Sequence, residues 1–127
     1  MNFTFTQDQL DFHEAISSML RAEVTADSIR ARWQNESGID SAFMQQAHDL
    51  GLNSMLIPES LGGLGLKPVD FILLAEACGE VALPEPLVES VMVTTPSLVD
   101  ILDQGLGNAD VQKLSLIHIS EPTRQIR

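Results

Sequence analysis

A chain of 127 residues is long enough for one domain with one buried core, and its 44% hydrophobic and 20% charged content is that of a soluble globular protein. A net charge of −11 argues against binding to nucleic acid, which needs basic patches, and against docking on an anionic membrane. The lone cysteine, Cys78, excludes an internal disulfide and fits a reducing cytoplasm, and no run approaches the roughly 18 apolar residues of a membrane span.

Met1-Asn2-Phe3-Thr4-Phe5 has neither a basic segment nor a long apolar run, so no signal peptide is apparent. Thr6 and Gln9 form a T-x-x-Q capping box, with Phe5 before it as a staple residue. Phe12, Ile16, Met19, Leu20 and Val24 then recur at helical spacing. The helix starts near Gln7 and either runs on through Ile29 and Trp33 or restarts before Asn35-Glu36-Ser37-Gly38. Trp33 is expected to pack on the helix that follows.

Asp40 caps a second helical pattern with Phe43, Met44, Ala47 and Leu50 on its apolar face, and Gly51 suits its C′ position. His48 lies beside that stripe, and no acid or cysteine cluster near it marks a metal site. Leu52 to Ile57 is a short apolar connector ending at Pro58. Pro68 opens a third helix, apolar over Val69, Ile72, Leu73, Ala75, Ala77 and Cys78, which Gly79 weakens near its end.

Pro84-Glu85-Pro86 opens a fourth. Leu87, Val88, Val91, Met92 and Val93 are nearly continuous and predict burial on most sides, with Pro96 kinking or breaking the helix. Ser97 is placed to cap a continuation through Leu102 that stops at Gly105 or Gly107, and Asn108 to cap a last helix. The expected fold is all-α, an up-and-down-like bundle of about four to five helices. Glu59, Glu76, Glu80, Glu85 and Glu89 read as solvated or capping residues, because nothing sets one of them as a base against a substrate.

The most informative stretch is Gly51-Leu52 followed by Ile57-Pro58-Glu59 and Gly62-Gly63-Leu64-Gly65, a proline turn and a glycine loop between helices. With Phe5-Thr6, Gln9-Leu10 and Glu76 ahead of Gly79, this order resembles the N-terminal domain of the acyl-CoA dehydrogenase family, over nearly all of Phe3 to Lys113. Related acyl-CoA oxidases and flavin monooxygenases of the same fold look much alike in this region.

The resemblance implies a parent enzyme of fatty-acid metabolism that oxidises the Cα–Cβ bond of an acyl-CoA thioester. In that family a glutamate from later in the chain removes the α proton, and FAD accepts hydride. The middle and C-terminal domains would be this domain's partners, in a homo- or hetero-oligomer. No catalytic or FAD-binding residue is carried over, and the fragment is expected to be inactive alone. In the family the long buried helix of this domain forms part of the acyl-pocket wall. By its place before Pro96 that helix is Leu87 to Thr95, and the implied acyl contacts are Val88, Val91, Met92 and Thr95. The rival expectation is a freestanding helical interaction module.

Composition changes after Lys113. Leu114 to Ser120 alternates apolar and polar like a strand without a partner, and Glu121-Pro122-Thr123 ends it. The string from Leu114 to Arg124 resembles a translated sequencing-library adapter. The expected organisation is therefore a helical domain over 1–113, incomplete at its C-terminal end, and an artefactual tail over 114–127, so that His118 is neither ligand nor base. So apolar a segment as Leu87 to Val93 in one thin helical layer also predicts that the isolated chain self-associates or is molten.

Overall fold

The computed structural model describes residues 4–105, so Asn108 and the 114–127 tail lie outside the described residues. It is all-α, with five helices and, among the described residues, no strand. The first helix, α1 (Gln7–Glu23), opens with the expected box: Thr6 Oγ1 accepts from Gln9 N–H at 3.3 Å, and Gln9 Oε1 accepts from Thr6 N–H at 2.8 Å. The chain restarts rather than running on. Thr25 and Ser28 form a second box that opens α2 (Ala26–Gln34).

Asp40 accepts from the backbone N–H groups of Ala42 and Phe43 and caps α3 (Ser41–Asp49). Gly51, at φ 76°, turns the chain left-handed into a 3₁₀ turn, Leu52–Ser54. A second 3₁₀ turn, Glu59–Leu61, leads through the glycine loop to α4 (Pro68–Glu80). The last helix, α5, is continuous over three stretches: Leu87–Glu89, a π turn at Ser90–Thr94, and Thr95–Asp103.

The core joins Ile16 and Leu20 of α1, and Val24 just past its end, to Phe71, Leu74, Ala77 and Cys78 of α4, with Phe43, Met44, Ala47, Leu52, Met55, Leu87 and Val91 completing it. Each large apolar side chain so buried contributes about 1.5–3 kcal/mol. α1 packs on α4 more extensively than any other helix pair. Gln9 reaches Asp70 near their starts and Arg21 reaches Glu80 near their ends, so the two run in the same direction.

Several sequence expectations are corrected. Trp33 does not pack on α3 and is 76% exposed, because Arg32 takes the inward position of α2. Leu50, past the last inward turn of α3, is exposed. On α4 the buried stripe runs through Phe71, Leu74 and Cys78, at i, i+3 and i+7, leaving Val69 and Ile72 in solvent. On α5 only Leu87, Val91 and Thr95 are fully inward, while Val93 is 63% exposed, so the helix is buried on one face rather than most.

Pro96 does not break α5. Proline cannot donate to a carbonyl a turn behind it, and the chain absorbs this by widening into the π turn, where Thr95 N–H bonds Ser90 C=O. Ser97 therefore sits inside the helix and donates its hydroxyl to Val93 C=O at 2.8 Å instead of capping a new start. The helix stops at Asp103, with Gly105 at φ 67° beyond it.

Candidate functional site

The four residues of the expected acyl wall lie on α5, but on two faces. Val91 and Thr95 point into the domain and are fully buried. Thr95 satisfies its hydroxyl by donating to Ser90 C=O at 2.9 Å. Val88 is half-buried at the edge of the core, and Met92, one turn on, is 36% exposed. Val88 and Met92 thus form the outward edge of α5, backed by Val91 and Thr95. The π turn, Ser90–Thr94, contains Val91 and Met92 themselves, and such turns recur at functional sites.

The connector from α4 to α5 shapes the approach to that edge. Leu83 N–H bonds Cys78 C=O at 3.0 Å and Ala82 N–H bonds Gly79 C=O at 3.1 Å, a Schellman closure with Ala82 at the left-handed position. An open cleft of about 360 Å³ lies between the end of α4, the connector and the first turn of α5. Cys78, Ala82, Glu85, Val88 and Glu89 are among its lining residues. Burial first, and the Glu89 charge second, push the Cys78 thiol up to about 11, so it stays protonated and unreactive at neutral pH.

Glu85 is not the solvated or capping glutamate expected from sequence. Glu59, Glu76, Glu80 and Glu89 are exposed, but Glu85 is buried, 3% exposed, and paired with the equally buried Arg32. Glu85 Oε1 accepts from Arg32 Nε at 2.5 Å and from Asp40 N–H at 3.1 Å. Arg32 also donates to Ser28 Oγ at 2.8 Å, approaches Asp40 Oδ2 at 3.5 Å, and lies over the Phe43 ring. The signal for this cluster was available: Arg32 follows Ile29 by three residues on the inward stripe, and a charge on that stripe needs a buried partner.

A second cleft, about 390 Å³, has an apolar floor of Phe12, Met55 and Leu66 and an acidic rim of Asp8 and Asp70. The glycine loop binds its own chain. Leu64, Gly65 and Leu66 donate their N–H groups to the carbonyls of Ser54, Ile57 and Met55, at 2.8–3.0 Å. A Cβ on Gly63 would fall on the Ile57 carbonyl. No group of three metal-ligating side chains occurs among the described residues.

Residues 6–110 match the family model described as "Acyl-CoA dehydrogenase, N-terminal domain". The chain is 28% identical over 111 residues to a protein of Mycobacterium tuberculosis (strain ATCC 25618 / H37Rv) named "Acyl-CoA dehydrogenase FadE27". That stretch covers 84% of this chain and 30% of the relative, so the chain spans under a third of the relative's length. No solved structure matches.

Proposed function

The chain belongs to the acyl-CoA dehydrogenase family, as its N-terminal domain, and from that we propose that it is a fragment of a FAD-dependent enzyme that oxidises the Cα–Cβ bond of acyl-CoA thioesters. The observation that carries this reading is the match over 6–110 to the N-terminal part of a family whose curated relative is far longer than the chain.

In this reading the outward edge of α5, Val88 and Met92, lines the acyl pocket, and Val91 and Thr95 support it from the core side. An acyl chain needs an apolar wall without an unpaired polar group, and the hydroxyl of Thr95 is already bonded within the helix. FAD supplies the hydride acceptor when bound to the parent. The glycine loop offers a flavin no free backbone cradle: its N–H groups bond its own chain's carbonyls, and Gly63 is filled from behind by Ile57. Flavin and catalytic base are therefore assigned to the middle and C-terminal domains, which would also cover this lobe in an oligomeric parent. The domain boundary is placed at 113, with 114–127 as adapter-derived sequence. The parent is proposed to be cytoplasmic; no helix among the described residues is long and apolar enough to cross a membrane.

Sequencing an independent copy of the gene through codon 113 tests this. The expected result is a frame that continues into middle-domain strands. A natural stop near Lys113 would favour the freestanding module. The purified 127-residue chain should be colourless and inactive towards acyl-CoA with a reductase dye, whereas yellow, active protein overturns the assignment of flavin and base elsewhere.

A further inference from the structure

We infer that Glu85 is a positioning residue, whose carboxylate, held by Arg32 and the Asp40 amide, sets how α5 leaves its connector and so shapes the acyl wall. This rests on reading α5 as that wall. Glu85 stands between Pro84 and Pro86, two residues before α5 begins. Each proline fixes its own φ and restricts the residue before it, so little freedom remains between the Glu85 carboxylate and Leu87. Leu87 N–H bonds Glu85 C=O at 2.8 Å and Ser90 N–H bonds Pro86 C=O at 3.0 Å, which carries that rigidity into the first turn.

One oxygen of Glu85 takes hydrogen bonds from two other elements, Arg32 at the inward face of α2 and the backbone at the cap of α3. Two directional bonds from different elements fix its position in space. Apolar contact holds α5 on the core through Leu87 and Val91, but it lacks the directionality of these two bonds. Stability does not explain why charges occupy this place, because apolar residues of similar volume commonly serve a buried pair's site as well or better. Buried pairs fix one register or geometry in the best-attested cases, and that is the role assigned to Glu85 here. The helix needs this anchor at its start, since the π turn at Ser90–Thr94 separates that start from the Thr95–Asp103 stretch. Val88 lies three residues from Glu85, so a rotation of the first turn displaces Val88 and then Met92.

The test uses the full-length parent enzyme with Glu85→Gln and with the double substitution Arg32→Met, Glu85→Leu. The double variant leaves no unpaired buried charge and so keeps a cooperative melt, lowered only by the lost acceptor of Asp40 N–H. Turnover of acyl-CoA substrates of graded chain length is compared with amide hydrogen exchange over residues 87–95. The expected result for the double variant is a KM for the preferred substrate raised by about tenfold or more, a changed chain-length preference, and faster exchange confined to 87–95. A double variant with the wild-type chain-length profile and wild-type exchange overturns the inference. A wild-type enzyme that turns over no acyl-CoA overturns the functional reading instead. That failure shows before any substitution is made, and the exchange measurement still decides whether Glu85 positions α5.

Discussion

Gln9 Nε2 donates to Asp70 Oδ1 at 2.5 Å, joining two residues 61 positions apart that each stand third in their own helix. Gln9 uses its other amide atom to accept from Thr6 N–H, and Asp70 uses its other oxygen to accept from Lys67 N–H at 2.8 Å. Each side chain therefore closes its own helix start and reaches across to the other. This lashes α1 to α4 at the rim of the apolar cleft floored by Phe12, Met55 and Leu66. The Arg21–Glu80 pair at the far ends is exposed and contributes little.

The link makes the fold sensitive to acid. The hydrogen bond from Gln9, and next the one from Lys67 N–H, hold the Asp70 carboxyl below its ordinary value. A carboxyl that releases its proton more readily when folded adds stability that is fully present above its unfolded pKa, about 3.9. That stability is lost as pH falls through the lower folded value. Asp70→Asn should be less stable than wild type at pH 7, by about 1 kcal/mol for the weakened cap. It should also lose less on acidification below about pH 4. Urea melts at neutral and acid pH measure both, and parallel acid losses in the two proteins would count against this role.

At the far end of α4 the sequence puts alanine and glycine in each other's favoured places. Ala82 takes φ 51° at the left-handed position, which costs a residue with a Cβ about 1–2 kcal/mol. Gly79 lies in the last turn of the helix, where an added Cβ meets nothing within 4 Å and alanine is better by about 1 kcal/mol. Ala82→Gly and Gly79→Ala should each raise stability by about 1 kcal/mol, or several degrees in Tm. Matched thermal melts provide the readout, and a lower Tm for Ala82→Gly would remove the Schellman account of this turn.

Gly63 is limited by space. Its neighbour across the loop is the backbone carbonyl of Ile57, which cannot step aside because it accepts from Gly65 N–H at 2.8 Å. Gly63→Ala should destabilise by about 1–3 kcal/mol through displacement of the loop. The shift should also speed amide exchange at Leu64 and Leu66. Wild-type stability in this variant would mean the loop is looser than its hydrogen bonds indicate.

Much of this was legible in the sequence because it depends on local chemistry. The Thr6–Gln9 box, the Asp40 cap, Gly51 and Pro68 mark helix ends through backbone groups within a few residues. What sequence did not reveal depends on partners far along the chain. Trp33 looked like a core residue until Arg32 proved to occupy the inward side, which only its pairing with Glu85, 53 residues on, makes affordable. Val93 read as buried because apolar residues nearly fill its helix from Leu87 to Val93. Periodicity cannot choose a face when every face is apolar. Likewise a break at Pro96 was reasonable from backbone rules, but tertiary packing of Val91 and Thr95 favours a continuous helix with a π turn.

The Arg32–Glu85 pair should show strong coupling. Arg32→Met alone strands a buried carboxylate, and breaking such a pair from one side costs about 3–5 kcal/mol. Glu85→Leu alone strands the guanidinium and leaves Asp40 N–H without its acceptor. The double variant should recover most of the loss, since neither charge remains. A double-mutant cycle by urea denaturation measures the coupling, and simple additivity of the two single losses would show that the pair is not a closed unit.

The apolar residues left in solvent set the behaviour of the chain on its own. Val93 and Met92 on α5, and Val69 and Ile72 on α4, are apolar side chains that a larger protein would cover. Opposing association is the net charge of −11, a repulsion that salt screens. Self-association of the isolated chain should therefore strengthen from low salt to about 0.5 M, the reverse of an ion-pair interface. Sedimentation velocity across a concentration series gives the measurement. Val93→Glu with Ile72→Glu should shift the distribution towards monomer without loss of helix. A sharp, concentration-independent melt from a monomer at all salts would mean that these faces need no cover.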